Sequence, residues 1–312
     1  MEFKIKKPGD EIVVVLNDDG GWCRSNLVHY KGILVDTGPD PVICTENMNA
    51  LKKESGSLKV DTVVITHPDI DHVGGLKLFP DAKLIMAENA VKAYDDLKPK
   101  LLSMLVDKSF LFFGTGKYYK QSMKGFDFAS IELRSPDEIF NDEKRLDTGG
   151  KDVVLKNFSY CHSHSDTIVI LPDNVVAAGD LLFNGVTPIV WGYPGNWLKA
   201  LDHIISLKPE WIIPGHGDLM KLADVMFMKR YLEFLKEQTR FFYEKRHKVG
   251  NAVREICKVM PDEFKKLLLP ERIAVNVEAF YAEFGGSPAP ADYPVMKKLR
   301  LFGKMKKAIR FF

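Results

Sequence analysis

Cysteine is scarce and scattered. Cys23, Cys44, Cys161 and Cys257 contain no C-x-x-C pair among 312 positions, which argues against a disulfide framework and fits the reduced thiols of a cytoplasmic protein. Long apolar runs are also missing. No window approaches the roughly eighteen apolar residues that a membrane-spanning helix needs, so a membrane span is excluded. The first residues, Met1 to Gly9, are charged and lack the apolar core of a secretory signal, so a cytoplasmic location is expected. Charge of one sign is lacking too, with 44 basic against 42 acidic residues and a net charge of +2. Histidine is limited to eight residues, which makes any clustering of them informative. With 46% apolar content, a chain of 312 residues can bury a large core as one big domain or two merged ones.

Two of those histidines fall in one short stretch. Residues 66–75 read THPDIDHVGG, placing His67, Asp69, Asp71 and His72 within six positions. A regular helix or strand cannot aim all of these side chains the same way. A tight turn after a strand can, and Val63, Val64 and Ile65 supply the β-branched lead-in. Imidazole and carboxylate together suit zinc, iron or manganese, whereas calcium takes oxygen ligands only. The alternative is a polar surface turn that happens to hold histidines.

Three later segments share the plan of an apolar strand ending in a ligand-type residue. They are the loop at 158–167 with His162 and His164, the strand 175–183 with Asp180, and the strand 211–218 with His216. Strand ends are where α/β proteins place their sites.

The order THxDxDH, CHSHSDT, AAGDLLF, PGHGD resembles the metallo-β-lactamase fold superfamily of metal-dependent hydrolases, from about Asp36-Thr37-Gly38 through His216. The resemblance implies an α/β fold, a four-layer αββα sandwich of two mixed β-sheets flanked by helices. It also implies a dinuclear site. His67, Asp69 and His162 would hold one metal, Asp71, His72 and His216 the other, and Asp180 would bridge them. Metals about 3.5–4 Å apart share a water and lower its pKa, giving a hydroxide nucleophile. Asp71 would be the catalytic residue that orients this hydroxide and returns a proton to the leaving group. One position departs from the common pattern: Asp69 stands where the superfamily usually has histidine. A hard oxygen donor there shifts preference from zinc, the expected metal, towards iron or manganese. Alternatively Asp69 points to solvent, leaving His67, His162 and Asp180 to hold the metal. Of the two histidines in the 158–167 loop, His162 has the family's spacing to Asp166, and His164 becomes a pocket-wall or loop residue. Cys161 reads as a small buried hydrophobe, and His29, His203 and His247 as ordinary side chains.

The pattern before the site predicts strands at 12–16, 27–30, 33–36, 62–65 and 83–86 and a helix around 45–53. Residues 91–130 interrupt it, with Phe110, Phe112, Phe113, Tyr118 and Tyr119. They read equally as a lid over the site or a helical pair with inward aromatics. Strands return over 131–217, with a helix near 197–207. Trp191 and Tyr193, on a Gly/Pro loop close after Asp180, are candidate substrate-wall residues together with His164. Packing of Trp197 under its own helix is equally natural.

The expected catalytic domain is 1–217, followed by a helical extension over 218–312. Asp218 is placed to cap a long helix ending near Lys248, a break follows at Gly250-Asn251, and helices are expected at 251–268 and 270–284. Residues 295–312 hold seven Lys or Arg and no acid among interleaved apolar residues. This basic tail is suited to a membrane surface, nucleic acid or a partner, or is a docked terminal element with its lysines in solvent. A homodimer is open.

The leading functional expectation is a metal-dependent hydrolase of a small ester, lactone or thioester-type substrate. A di-iron redox enzyme of the flavodiiron-like branch is the alternative prompted by Asp69. The extension is too short and helical for a flavin domain. A nuclease or a non-catalytic member is the remaining reading; no recognisable nucleic-acid module is present, so nucleic acid is not the expected partner.

Overall fold

The computed structural model describes residues 3–17, 24–56, 58–107, 123 and 125–312. Its first sheet has the order β1-β2-β3-β4-β5-β6-β7. These strands are β1 Phe3–Gly9, β2 Ile12–Asn17, β3 Leu27–Tyr30, β4 Ile33–Val35, β5 Thr62–Val64, β6 Lys83–Ala87 and β7 Glu138–Phe140. The β1 to β4 pairings are antiparallel, and those from β4 to β7 are parallel. The second sheet runs β12-β11-β10-β9-β8, with β8 Glu143–Leu146, β9 Val153–Ser159, β10 Ser165–Leu171, β11 Val175–Phe183 and β12 Trp211–His216. Only its β11/β12 pairing is parallel.

Strand alternation builds the four layers. In β2, Ile12, Val14 and Leu16 enter the core between the sheets, and Val13 and Val15 turn to the outer helices. In β11, Val175 and Ala177 face the other sheet, while Val176 and Ala178 face the helices behind. A strand covered on both faces has no need of polar alternation, which is why these segments read as continuous apolar runs. Helix α1 (Pro41–Ser55), α2 (Ile70–Val73), α3 (Glu88–Asp95) and α4 (Pro99–Asp107) follow strands of the first sheet. Asp40 caps α1 by accepting the Ile43 N–H at 2.8 Å. On the other side lie α5 (Pro194–Leu207), α6 (Leu222–Glu244), α7 (Val249–Val259), α8 (Asp262–Lys265), α9 (Ile273–Phe284) and α10 (Val295–Ala308). Their apolar faces share one core with β11.

Several expectations need correction. Strand β1 was not among the expected elements because Lys4, Lys6 and Lys7 dilute its apolar signal; only Phe3 and Ile5 pack inward, as befits an edge strand. The helix expected around 45–53 starts at Pro41, and that near 197–207 starts at Pro194. Asp218 does not cap α6. Met220 exchanges both backbone hydrogen bonds with Ile212, holding the chain extended until Lys221, whose N–H the Asp224 carboxylate accepts at 2.7 Å. The break near Gly250 falls earlier: Arg246 takes a left-handed conformation with φ 56°, and Gly250 lies inside α7. The helix expected at 251–268 is divided at Pro261, which cannot continue it. The aromatic cluster Phe110 to Tyr119, and with it the choice between lid and helical pair, lies outside the described residues.

The basic tail forms α10, docked through buried Leu301, Met305 and Ala308. Its Lys304 pairs with Glu278 at 2.6 Å.

Candidate metal centre

The strand ends of both sheets meet at one edge. From the first sheet, β5 delivers His67, and the turn after it places Asp69 at the start of α2 with Asp71 and His72 inside that helix. From the second come His162 on the β9–β10 loop, Asp180 within β11 and His216 at the end of β12. Thr167 N–H donates to Thr66 O at 2.8 Å, tying the two sheets together beside the site.

Asp180 stands at the middle. Its Oδ2 is 3.4 Å from His162 Nε2 and 3.8 Å from His67 Nε2. Its Oδ1 is 3.3 Å from His72 Nε2 and 3.4 Å from His216 Nε2. Asp69 Oδ2 joins the first set, 3.3 Å from His162 Nε2, and Asp71 Oδ2 the second, 3.2 Å from His216 Nε2. The side chains thus form a group of His67, Asp69 and His162 and a group of Asp71, His72 and His216, with donor atoms within 4.8 Å of one another in each. Asp69 is 41% exposed on its side chain, yet its Oδ2 points into the cluster rather than to solvent.

Local structure holds these orientations. Asp36, buried at φ 60°, accepts the Thr66 N–H and hydroxyl and the His72 Nδ1–H, each at 2.8 Å. Because the Thr66 hydroxyl donates to Asp36, its oxygen accepts from His67 Nδ1 at 3.1 Å. His162 donates Nδ1–H to Ile189 O at 2.8 Å. In all three rings the Nδ1 bond leaves Nε2 lone pairs for the centre. Asp166 accepts the Ser163 N–H at 3.0 Å and the Cys161 N–H at 3.3 Å, shaping the His162 loop. Burial pushes the Asp166 carboxyl up to about 6, against the pull of His162 and the Ser163 bonds. Gly215 is required by space: a Cβ there would lie 1.9 Å from Asp180 Oδ1.

The donor set fits a divalent metal. His67 Nε2, His72 Nε2 and Asp180 Oδ1 are buried without a hydrogen-bond partner, a costly state unless another group satisfies them. Burial drives the His67 ring down to about 4, reinforced by His72. Burial also disfavours charge on His162 and His216, but Asp180 and the adjoining Asp69 or Asp71 raise them to about 9 and about 10. Phe183 stacks on His216 at 5.6 Å and Trp197 meets His162 edge-on at 5.8 Å, forming an apolar wall behind the rings.

The candidate substrate residues gather around the His162 loop, where the Tyr160 ring lies 5.6 Å from His164 and 5.8 Å from Tyr193. His164 Nε2 lies 3.3 Å from Asp292 Oδ1. Trp191 packs on Phe302 with centroids 6.2 Å apart, and the Tyr193 hydroxyl donates to Ser287 O at 3.2 Å. Trp197 is fully buried and donates to Leu181 O. His203 packs on Phe158 and His247 on Phe242, while His29 meets Lys59 O. Asp36 was not in the candidate set as a site residue; its signal was the acidic turn at Asp36-Thr37-Gly38.

A profile of the metallo-beta-lactamase superfamily matches residues 29–216. The beta-lactamase-like protein 2 homolog of Drosophila melanogaster is 22% identical over 249 residues, 77% of this chain and 74% of its own. The sec-alkylsulfatase Pisa1 from Pseudomonas sp. superposes with a TM-score of 0.68 at 15% identity, over 99% of this chain and 58% of that one. A metallo-beta-lactamase from Pontibacter korlensis gives 0.54 at 15% identity, over 74% of this chain and 99% of that one. At such identities the structural likeness shows the fold alone.

Proposed function

Because this chain belongs to the metallo-β-lactamase superfamily, whose members are generally hydrolases that bind divalent metals, we propose that it is a dinuclear metallo-hydrolase of a small ester, lactone or thioester. The observation that carries this reading is Asp180, whose two oxygens face two separate groups of donors. His67, Asp69 and His162 would hold one metal and Asp71, His72 and His216 the other, with one Asp180 oxygen facing each group. When bound, the metal pair supplies Lewis acidity at the attacked carbonyl and an acidified water as nucleophile. Zinc is the expected metal, with iron or manganese admitted by the Asp69 carboxylate.

The chain's own residues do the rest. Asp36, Thr66 and Ile189 O fix three imidazole rings in advance, so no reorientation is needed during turnover. Asp71 takes a proton from the attacking water and returns it to the leaving group. Phe183 and Trp197 keep water from the back of the site, strengthening its internal electrostatics.

Asp69 also supports a di-iron redox enzyme as the second reading. Every regular element described after β12 is helical, which does not favour a flavin-binding α/β domain among the described residues. Elemental analysis of protein purified without added metal separates the two. Two zinc or manganese ions, with cleavage of an ester, lactone and thioester panel that is lost on chelation, support hydrolysis. Two irons with a visible charge-transfer band support redox chemistry. One metal or none overturns both.

A further inference from the structure

The segment that leads into α10 is sewn to the candidate centre. Trp191 N–H donates to His162 O at 2.9 Å, and Ala291 N–H donates to Trp191 O at 2.7 Å. Asp292 then reaches back, its Oδ1 lying 3.2 Å from the Tyr160 hydroxyl and 3.3 Å from His164 Nε2. Further along, Phe302 packs on Trp191. Lys298 and Phe302 are four residues apart, so they share a face of α10. Lys298 therefore stands one turn nearer to Asp292, on the face turned towards the His162 loop.

This lysine differs from its neighbours. Lys304 is paired with Glu278 and Lys297 lies over the Tyr293 ring, while Arg300, Lys306, Lys307 and Arg310 are exposed. Lys298 is half-buried and makes no ion pair within 4 Å among the described residues. Burial depresses its ammonium pKa, and Asp69, Asp292 and Asp96 act on it through space in the opposite direction. A cation that has lost part of its water without gaining a direct partner is a cost that a bound anion would offset.

Resting on the hydrolase reading, we infer that Lys298 receives a carboxylate of the substrate at the mouth of the centre, so that the preferred substrates are anionic esters, lactones or thioesters. A single ammonium is a point charge suited to one negative charge. His164 is already engaged by Asp292 and adds no second free cation. The carboxylate-bearing end of the substrate then lies along α10, while its scissile bond faces Asp180. Specificity thus comes from beyond the 29–216 stretch that the superfamily profile covers.

The test compares mono-4-nitrophenyl glutarate with neutral 4-nitrophenyl butyrate on the metal-replete full chain. Lys298→Gln raises KM for the glutarate ester about tenfold, with kcat and the butyrate reaction within about twofold; Lys298→Arg restores most of the loss. Equal losses on both esters, or none on either, overturn the inference, the former because Lys298 would only balance the acidic rim. If the wild-type protein cleaves neither ester, the hydrolase reading fails for these substrates separately. Calorimetry then decides about Lys298: glutarate binding about tenfold weaker in Lys298→Gln, with its neutral diamide unaffected, supports it, and equal glutarate affinity overturns it.

Discussion

The Asp36 carboxylate accepts the His72 Nδ1–H at 2.8 Å and, through the Thr66 hydroxyl, also orients His67. One acidic residue in the left-handed region thereby sets two rings that serve different donor groups. Replacing it loosens both at once. Asp36→Asn is expected to weaken metal binding about 10- to 100-fold without removing any proposed ligand. Chelator-competition titration of both ions checks this, and an unchanged affinity for both would count against the orienting role.

Asp180 has no substitute. Asp180→Ala removes the oxygens facing both groups, so metal content is expected to fall from two ions to at most one, and turnover by about a hundredfold or more. Elemental analysis and kinetics on the same preparation read both effects. Two retained ions with normal turnover contradict the shared-carboxylate arrangement.

Asp69 is expected to set metal preference. Its replacement by histidine exchanges a hard oxygen for a nitrogen donor beside His162, so Asp69→His is expected to favour zinc over iron and manganese relative to the parent chain. Competitive loading with equal concentrations of the metals, followed by elemental analysis, tests the direction.

The metal-free protein has a definite pH response. His162 and His216 sit at about 9 and about 10, above the ordinary value near 6.5. Their contribution to stability is full below about 6.5 and is lost as pH rises through those values. His67, lowered to about 4, acts on the other side: its contribution is full above about 6.5 and lost as pH falls towards 4. Thermal midpoints of chelator-treated protein should therefore decline from neutral pH towards 10 and also towards 4. Metal binding at pH 7 must displace the protons on His162 and His216, which calorimetry in buffers of different ionisation enthalpy detects.

The site was more legible than its surroundings. His67 to His72 lie in one stretch, and the resemblance to the superfamily, rather than local pattern alone, grouped them with His162, Asp180 and His216. Asp36 was harder, because a buried acid at a turn has no ligand signature until the His72 ring is seen against it. The Asp218 cap was misplaced because Met220 pairs with Ile212, a contact set by tertiary structure rather than by neighbours. The α10 helix shows the same limit. Its charge and apolar spacing are plain in the chain, but which single lysine turns inward depends on where Phe302 meets Trp191.

Asp180 and His216 arrive from one sheet, and His67 and His72 from the other. On the two-metal reading each ion is therefore a clasp across the seam of the sandwich as well as a reagent. Occupancy would be felt far from the chemistry, since a ligand held only by the folded chain stabilises it in proportion to the logarithm of its concentration over Kd. Stripping the ions would open the sandwich at this edge first, leaving the amides around Thr66 and Thr167 the earliest to exchange with solvent. Supply of metal would thus govern how long the protein lasts, not only how fast it works.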